Sequence, residues 1–380
     1  MKVLFVVDGL WVGGTERSIV EMLPHLEAAG ISPTVACFRS RAGEGVEDQV
    51  PPERLRLLAA GGFFGRVRAL RRLLRELRPE IVHSALFDAN LATRLAAVGL
   101  PVVVLNSLVN TPYEPVRLAD PRLSRRRMRL VQLADAVTGR LLADHFHAVS
   151  HAAAAAAVRA QRVPRGRITV VERGRDPGRL GESSPARRRA AREGLGIGEA
   201  TPLLVNVGRH EYQKGQAHLL RAMARLAGRE PAPVALIAGR TGASTRELEA
   251  LHRELGLGER VRFLGHRTDV PEVLAAADLF VFPSLFEGFP GAVIEAMALG
   301  LPVLAADVPP VREAVEPGGN ALLVPPADDA ALAAAIARLL DHPAEAAAFG
   351  ARSRAIFAER LTLSTSAPRM IALYRRLAGG

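Results

Sequence analysis

Short apolar runs recur along this chain with room for one helix between each pair, and that alternation restricts the fold more than any other feature. Runs of strand length stand at residues 3–7, Thr34–Phe38, Ile81–Ala85, Val102–Leu105, Phe146–Ser150 and Ile168–Val171, separated by helical stretches. Strands that alternate with helices in this way predict a parallel sheet covered on both faces. From Glu172 to Gly198 the pattern lapses into Arg-, Gly- and Pro-rich sequence with one short basic helix near Arg187–Arg192. It resumes at Leu203–Val207 and continues through Val234–Ala238, Val261–Leu264, Leu279–Phe282, Val303–Ala305 and Leu322–Val324. At 380 residues the chain is too long for one ordinary core. Two α/β domains are expected, 1–180 and 181–360, followed by a C-terminal helix, 361–380, free to cross back to the first domain.

The single cysteine, Cys37, leaves no intrachain disulfide and no zinc cluster, which suits a reducing compartment. The apolar run after Met1 is too short for a signal peptide, and no stretch approaches the 18 or so uncharged apolar residues of a membrane span. A cytoplasmic chain is expected, able to sit peripherally at the inner face of the membrane. The net charge of +11 is uneven: residues 1–190 carry 30 of the 50 basic groups against 18 of the 39 acids. Only Lys2 and Lys214 among the basic residues are lysines. Where arginine is the habit, a lysine marks a place that wants a compact ammonium.

Three loops between strand and helix carry candidate chemistry. Asp8-Gly9-Leu-Trp-Val-Gly13-Gly14-Thr15-Glu16 joins the first strand to the first helix, and its glycine pair lets a phosphate approach the backbone. It is not the GxGxxG of a nicotinamide dinucleotide site. Gly208-Arg209-His210-Glu211-Tyr212-Gln213-Lys214-Gly215 places two cations on one loop, a fork and a point charge that suit a diphosphate. The same cations suit a solvated loop paired with Glu211. Glu287-Gly288-Phe289-Pro290-Gly291-Ala-Val-Ile-Glu295 follows an apolar strand and opens a helix closed at Gly300. Its carboxylates suit neutral hydroxyls while amides at the helix mouth suit phosphate, and it suits equally a plain structural turn.

With Arg209 and Lys214 in one loop and Glu287 and Glu295 in another of the same half, the chain resembles the retaining GT-B glycosyltransferases of glycosyltransferase family 4. The match to Gly-Arg-x4-Lys-Gly and to Glu-Gly-Phe-Pro-x4-Glu-Ala-Met-x-x-Gly-x-Pro-Val extends through residues 200–340, and the glycine pair near the start also fits. The resemblance implies two Rossmann-like parallel-sheet domains facing across a cleft, the second binding a nucleotide sugar as co-substrate with no cofactor and no metal. It implies that Arg209 and Lys214 hold the diphosphate and stabilise it as it leaves, and that Glu287 binds donor-sugar hydroxyls. Gly288, Phe289, Pro290 and Gly291 help to place sugar and phosphate, Glu295 binds the ribose, Arg267 lies along the base, and Gly13 and Gly14 approach the phosphates from the first domain. The family's N-terminal histidine is missing, since Val109 stands in Ser107-Leu108-Val109-Asn110 where it is looked for. His83, Asp88 and Asn110 are therefore the acceptor-side candidates, while His145, His147 and His151 read as structural.

Between residues 63 and 78, Phe63, Val67, Leu70, Leu74 and Leu77 form one helical stripe among six arginines, and residues 122–129 add a second basic cluster. These segments suit an anionic membrane surface, or a helix packed on the sheet with a solvated basic face. A glycan or lipid-linked acceptor is the expected partner beside the nucleotide sugar. Aromatic residues make up only 4% of the chain and do not interleave with the arginines, which argues against nucleic acid. Sugar transfer is the leading expectation; a GT-B sugar-nucleotide epimerase and a non-catalytic nucleotide-sugar binder are the alternatives.

Overall fold

The computed structural model describes residues 1–11, 13–40, 45–59 and 61–379. Val12 of the glycine-rich turn and Gly380 of the C-terminal segment lie outside the described residues. Two compact units emerge, Met1–Arg175 together with Leu363–Gly380, and Asp176–Thr362. The division falls ahead of the 180/181 boundary expected from composition. Arg175, only 1% exposed, donates to Ser18 Oγ at 2.9 Å inside the first unit, whereas Arg179 is engaged inside the second.

The first unit holds a parallel sheet of β1 (Lys2–Gly9), β2 (Ser32–Arg39), β3 (Leu55–Leu57), β4 (Ile81–Ala85), β5 (Val103–Leu108), β6 (His145–Ala148) and β7 (Ile168–Val170), in the order β3-β2-β1-β4-β5-β6-β7. The edge strand β3 was not expected; three half-exposed residues carry no periodic signal. Side chains alternate between the faces of a strand. Val3, Phe5 and Val7 pack with Val20, Leu23 and Leu26 of the helix Gly14–Ala28 and with Met370, Leu373 and Tyr374 of the helix Leu363–Ala378. Leu4 and Val6 face Leu70, Leu73 and Leu74 of the helix Gly62–Leu77 and Ala89, Ala92 and Ala96 of the helix Phe87–Ala97.

That packing corrects the membrane expectation for residues 63–78. Leu70 and Leu74 are core residues, and Phe63, Val67 and Leu77 pack against the same cluster, so the stripe belongs to the sheet. Arg68, Arg72, Arg75 and Arg78 remain exposed on the opposite side. The cluster at 122–129 leads into the helix Arg125–Leu142, whose start is capped by Ser124 accepting from the Arg127 amide.

The second unit holds β8 (Leu203–Val207), β9 (Val234–Ala238), β10 (Val261–Gly265), β11 (Leu279–Phe282), β12 (Val303–Ala306) and β13 (Ala321–Val324), in the order β10-β9-β8-β11-β12-β13. Strands buried on both faces read as continuous apolar runs, as these do. Leu204, Ile237, Leu279, Val281 and Leu304 pack with Leu219, Leu220 and Met223 of the helix Gln216–Arg225 and with Leu332 and Ile336 of the helix Asp329–Asp341. In each sheet the strand order reverses once, between β1 and β4 and between β8 and β11. Loops leaving neighbouring strands diverge at such a point, and the crevice beyond the strands' carboxyl ends is where open α/β sheets take their ligands. Among the described residues no helix is long and apolar enough to cross a membrane.

Candidate functional site

In the second unit the reversal point brings together two loops far apart in sequence. β8 pairs directly with β11, so the loop after Val207 and the loop after Phe282 leave the sheet side by side. Gly215 has φ +60, and a Cβ there would lie 2.1 Å from the Pro283 carbonyl oxygen, so conformation and close approach both require glycine. The Leu285 amide donates to Gln213 O at 2.8 Å, and Gln213 Nε2 donates to Phe286 O at 2.8 Å. Clamped this way, Lys214 Nζ donates to Glu287 Oε1 at 2.6 Å and lies 5.3 Å above the Phe282 ring. Lys214 thus pairs across the two loops and not with Glu211. Arg209 heads the same loop, exposed, and its guanidinium has no hydrogen-bond or ion-pair partner among the described residues.

Beyond Glu287 the turn is buried: Phe289 is 2% exposed, Gly288 is buried beside it, and Pro290 precedes the helix Gly291–Ala298. The first-turn amides of that helix have no acceptor within it and point toward the turn's mouth. Glu295 sits one turn in, buried, and accepts from Arg179 Nη2 at 3.0 Å. Arg267 follows β10, two strands from β8 and so about 10 Å along the sheet. Its guanidinium grips Asp269 of its own loop at 2.5 and 2.7 Å. Beside an ammonium held against a buried carboxylate, the unit therefore presents a solvated cation on the same loop as Lys214 and a helix mouth on the same loop as Glu287. Chemically, that suits an anion with hydroxyl groups beside it.

The first unit's reversal point is flanked by the loop after β1 and the loop after β4. Gly13 precedes the helix Gly14–Ala28. A Cβ on Gly13 would lie 2.2 Å from Glu16 Oε2, and one on Gly14 would lie 2.6 Å from Arg173 Nη1, so both glycines make room for charged side chains of their own unit. Asp8 lies one residue before the end of β1; burial and the neighbouring Asp88 charge push its carboxyl up to about 6 against the pull of Arg39 and Arg66. Asp88 is exposed at the start of the helix Phe87–Ala97, next to Leu86 with φ 77. A non-glycine residue in that conformation stores strain of a kind that gathers at working sites.

His83 is placed differently from the expectation that it meets an acceptor. It is 6% exposed, with Nδ1 2.7 Å from Tyr374 Oη and Nε2 2.6 Å from Ser107 Oγ. Ser107 Oγ lies 2.9 Å from His147 Nδ1, and His147 Nε2 lies 2.9 Å from Val171 O. A carbonyl only accepts, which sets the direction of the whole chain: His147 donates to Val171, Ser107 to His147, His83 to Ser107, and Tyr374 to His83. Both rings are neutral, His147 pushed down to about 4 and His83 well below its ordinary value, chiefly by burial. Both His83 nitrogens are committed to this chain, so the residue links β4, β5 and the C-terminal helix and is not a free acid–base group. Val109 borders the apolar pocket beside these rings, while Asn110 uses its side-chain oxygen to accept from the Thr111 amide at 2.8 Å.

Residues 12–179 match the model for glycosyltransferase family 4, and residues 187–356 match the model for glycosyl transferases group 1. The chain belongs to glycosyltransferase family 4. D-inositol 3-phosphate glycosyltransferase 2 of Catenulispora acidiphila is 36% identical over 241 residues, 61% of this chain and 54% of that protein. The lipopolysaccharide core biosynthesis mannosyltransferase LpsB of Rhizobium meliloti is 33% identical over 55% of this chain and 61% of its own. The chain spans about half the length of the curated relatives it matches. The crystal structure of Anabaena Alr3699/HepE in complex with UDP and glucose shares its fold with a TM-score of 0.86 at 22% identity, covering 99% of this chain and 100% of that one. This family 4 protein thus has two Rossmann-like parallel-sheet domains of the GT-B class.

Several residues of the family 4 protein at these points were not read from its sequence. Arg179 and Tyr374 act over separations of 116 and 291 residues, for which periodicity holds no signal. Arg173, beside Gly14, lies in the Arg-, Gly- and Pro-rich stretch that reads only as a lapse in the strand–helix pattern. Asp8 did carry a signal, as the first charged residue after the apolar run of β1 at a strand's carboxyl end.

Proposed function

We propose that this protein transfers a sugar from a nucleoside-diphosphate sugar to an acceptor hydroxyl, with retention at the anomeric carbon and without a metal ion. The observation that carries the reading is the 2.6 Å meeting of Lys214 and Glu287 at the reversal point of the second sheet, with the solvated Arg209 on the same loop. Breaking the bond between sugar and diphosphate builds negative charge on the leaving phosphates, so fixed cations and helix-mouth amides aimed at them lower the barrier most. Lys214 and Arg209 supply the charge. Glu287 accepts from donor-sugar hydroxyls once a phosphate shares Lys214 with it; Glu295 takes the ribose. Neither carboxylate is assigned as a nucleophile.

The acceptor belongs to the first unit, a lipid-linked or anionic glycan drawn by its excess of arginine, in the cytoplasm or at the inner face of its membrane. A relative named for D-inositol 3-phosphate supports an anionic acceptor. With His83 committed elsewhere, Asp8 and Asp88 are the carboxylates available to orient an acceptor hydroxyl. The test is incubation with a panel of labelled nucleotide sugars and candidate acceptors. Acceptor-dependent release of nucleoside diphosphate, with an α-linked product from an α-linked donor, is expected. Inversion at a ring carbon without acceptor, or binding without turnover, refutes transfer.

A further inference from the structure

Seven large apolar side chains are strongly exposed among the described residues, and four of them share one helix: Leu130 at 69%, Leu133 at 61%, Val137 at 46% and Leu141 at 75%. Scattered singly, exposed leucines need no explanation, but a contiguous row does. At about 100° per residue these four fall within an arc of about 80° on the helix Arg125–Leu142 and extend over roughly 16 Å of its length. They stand opposite the buried Asp135 and Gly139, by which the helix packs onto its unit. The row therefore faces solvent squarely.

Its margins are basic. On the same wheel Arg127 lies along one side, Arg129 and Arg140 along the other, and Arg126 continues the row toward the helix start. All four are exposed, with no ion pair among the described residues. The helix's only acid, Asp135, is turned inward and spent on Arg94 at 2.6 Å. An apolar row bordered by unpaired arginines and no acid is the pattern of a helix lying in the interface of an anionic bilayer.

We propose that the helix Arg125–Leu142 docks this protein onto an anionic lipid bilayer, with Leu130, Leu133, Val137 and Leu141 entering the headgroup boundary and the four arginines pairing with lipid phosphates. A second copy of the chain fits less well, because two such faces brought together set arginine against arginine. This contact goes beyond sugar transfer and replaces the stripe of residues 63–78, which the sheet consumes.

The test is flotation of the whole protein with vesicles of phosphatidylglycerol and phosphatidylcholine against phosphatidylcholine alone, at low and high salt, with no donor or acceptor present. Failure here leaves the transfer reading standing. The wild type is expected to float with the anionic vesicles only, and less at high salt. Leu133→Glu with Leu141→Glu is expected to lower partitioning about tenfold or more, with an unchanged melting temperature because both side chains already face water. Arg126→Gln, Arg127→Gln and Arg129→Gln together are expected to lower it on the order of a hundredfold. Arg68→Gln, Arg72→Gln and Arg75→Gln on the helix Gly62–Leu77 are expected to cost less. Equal flotation with neutral vesicles, no loss in the Leu133/Leu141 variant, or a dimer that this variant dissociates without any lipid binding overturns the proposal.

Discussion

Lys214 is held on both sides, by a carboxylate at 2.6 Å and by the face of Phe282, whereas Arg209 on the same loop is exposed, with no side-chain partner among the described residues. The two cations should therefore fail differently. Either residue changed to alanine is expected to lower kcat for transfer roughly 10²- to 10³-fold, the cost of losing one preorganised charge at a developing anion. Only Lys214→Ala should also lower the melting temperature, since it removes the ammonium that lies 2.6 Å from the buried Glu287 carboxylate. Steady-state kinetics and calorimetry on both variants check this, and an Arg209→Ala protein that melts early speaks against the free guanidinium. Lys214 was legible because lysine is rare here and a glycine follows it. Its partner was not, since pairing with Glu287 depends on β8 and β11 lying side by side. His83 shows the converse: it reads as an acceptor-side group until Tyr374, from the far end of the sequence, takes one of its nitrogens.

Elements near the reversal points follow from local chemistry, and their partnerships from topology. Strands β4, β8, β9 and β11 stand where their apolar runs predict, because parallel strands buried on both faces leave an unbroken apolar signal. The amphipathic stripe of the helix Gly62–Leu77 was equally visible, but a stripe tells only that something covers it, and here the sheet does. Gly215→Ala forces a Cβ to within 2.1 Å of a backbone oxygen at φ +60, so the loop carrying Lys214 must shift. A loss of about 1–3 kcal/mol is expected, read as a lower urea midpoint, together with weaker nucleotide-sugar binding. Tyr374→Phe leaves the buried His83 Nδ1 with no donor and is expected to cost about 1–3 kcal/mol in the first unit. A variant as stable as wild type in urea would show that the tyrosine hydroxyl does not hold this chain of hydrogen bonds.

For the whole molecule, acid acts through buried groups of opposite sign. An imidazole whose folded pKa lies below its unfolded value contributes stability in full above about 6.5 and loses it as pH falls. His147, pushed down to about 4, forfeits on the order of 3 kcal/mol across that window, and His83 loses stability in the same direction. Asp8, raised to about 6, works the other way: protonation favours the folded state, so the cost of its buried charge is relieved below that pH. Two histidines outweigh one aspartate, and stability is expected to fall from pH 7 to 4.5. Melting curves should flatten with pH in His147→Gln and steepen in Asp8→Asn; identical slopes in all three proteins would contradict both assignments.

The first unit is closed by Leu363–Gly380, so the segment that completes its apolar layer is made after the entire second unit. The middle of this polypeptide can finish folding while its beginning still waits for a lid. Chains truncated after residue 362 should yield a protease-resistant body from 176 onward and a readily cut stretch before it. The order in which the two halves mature would then run against the order in which they are translated.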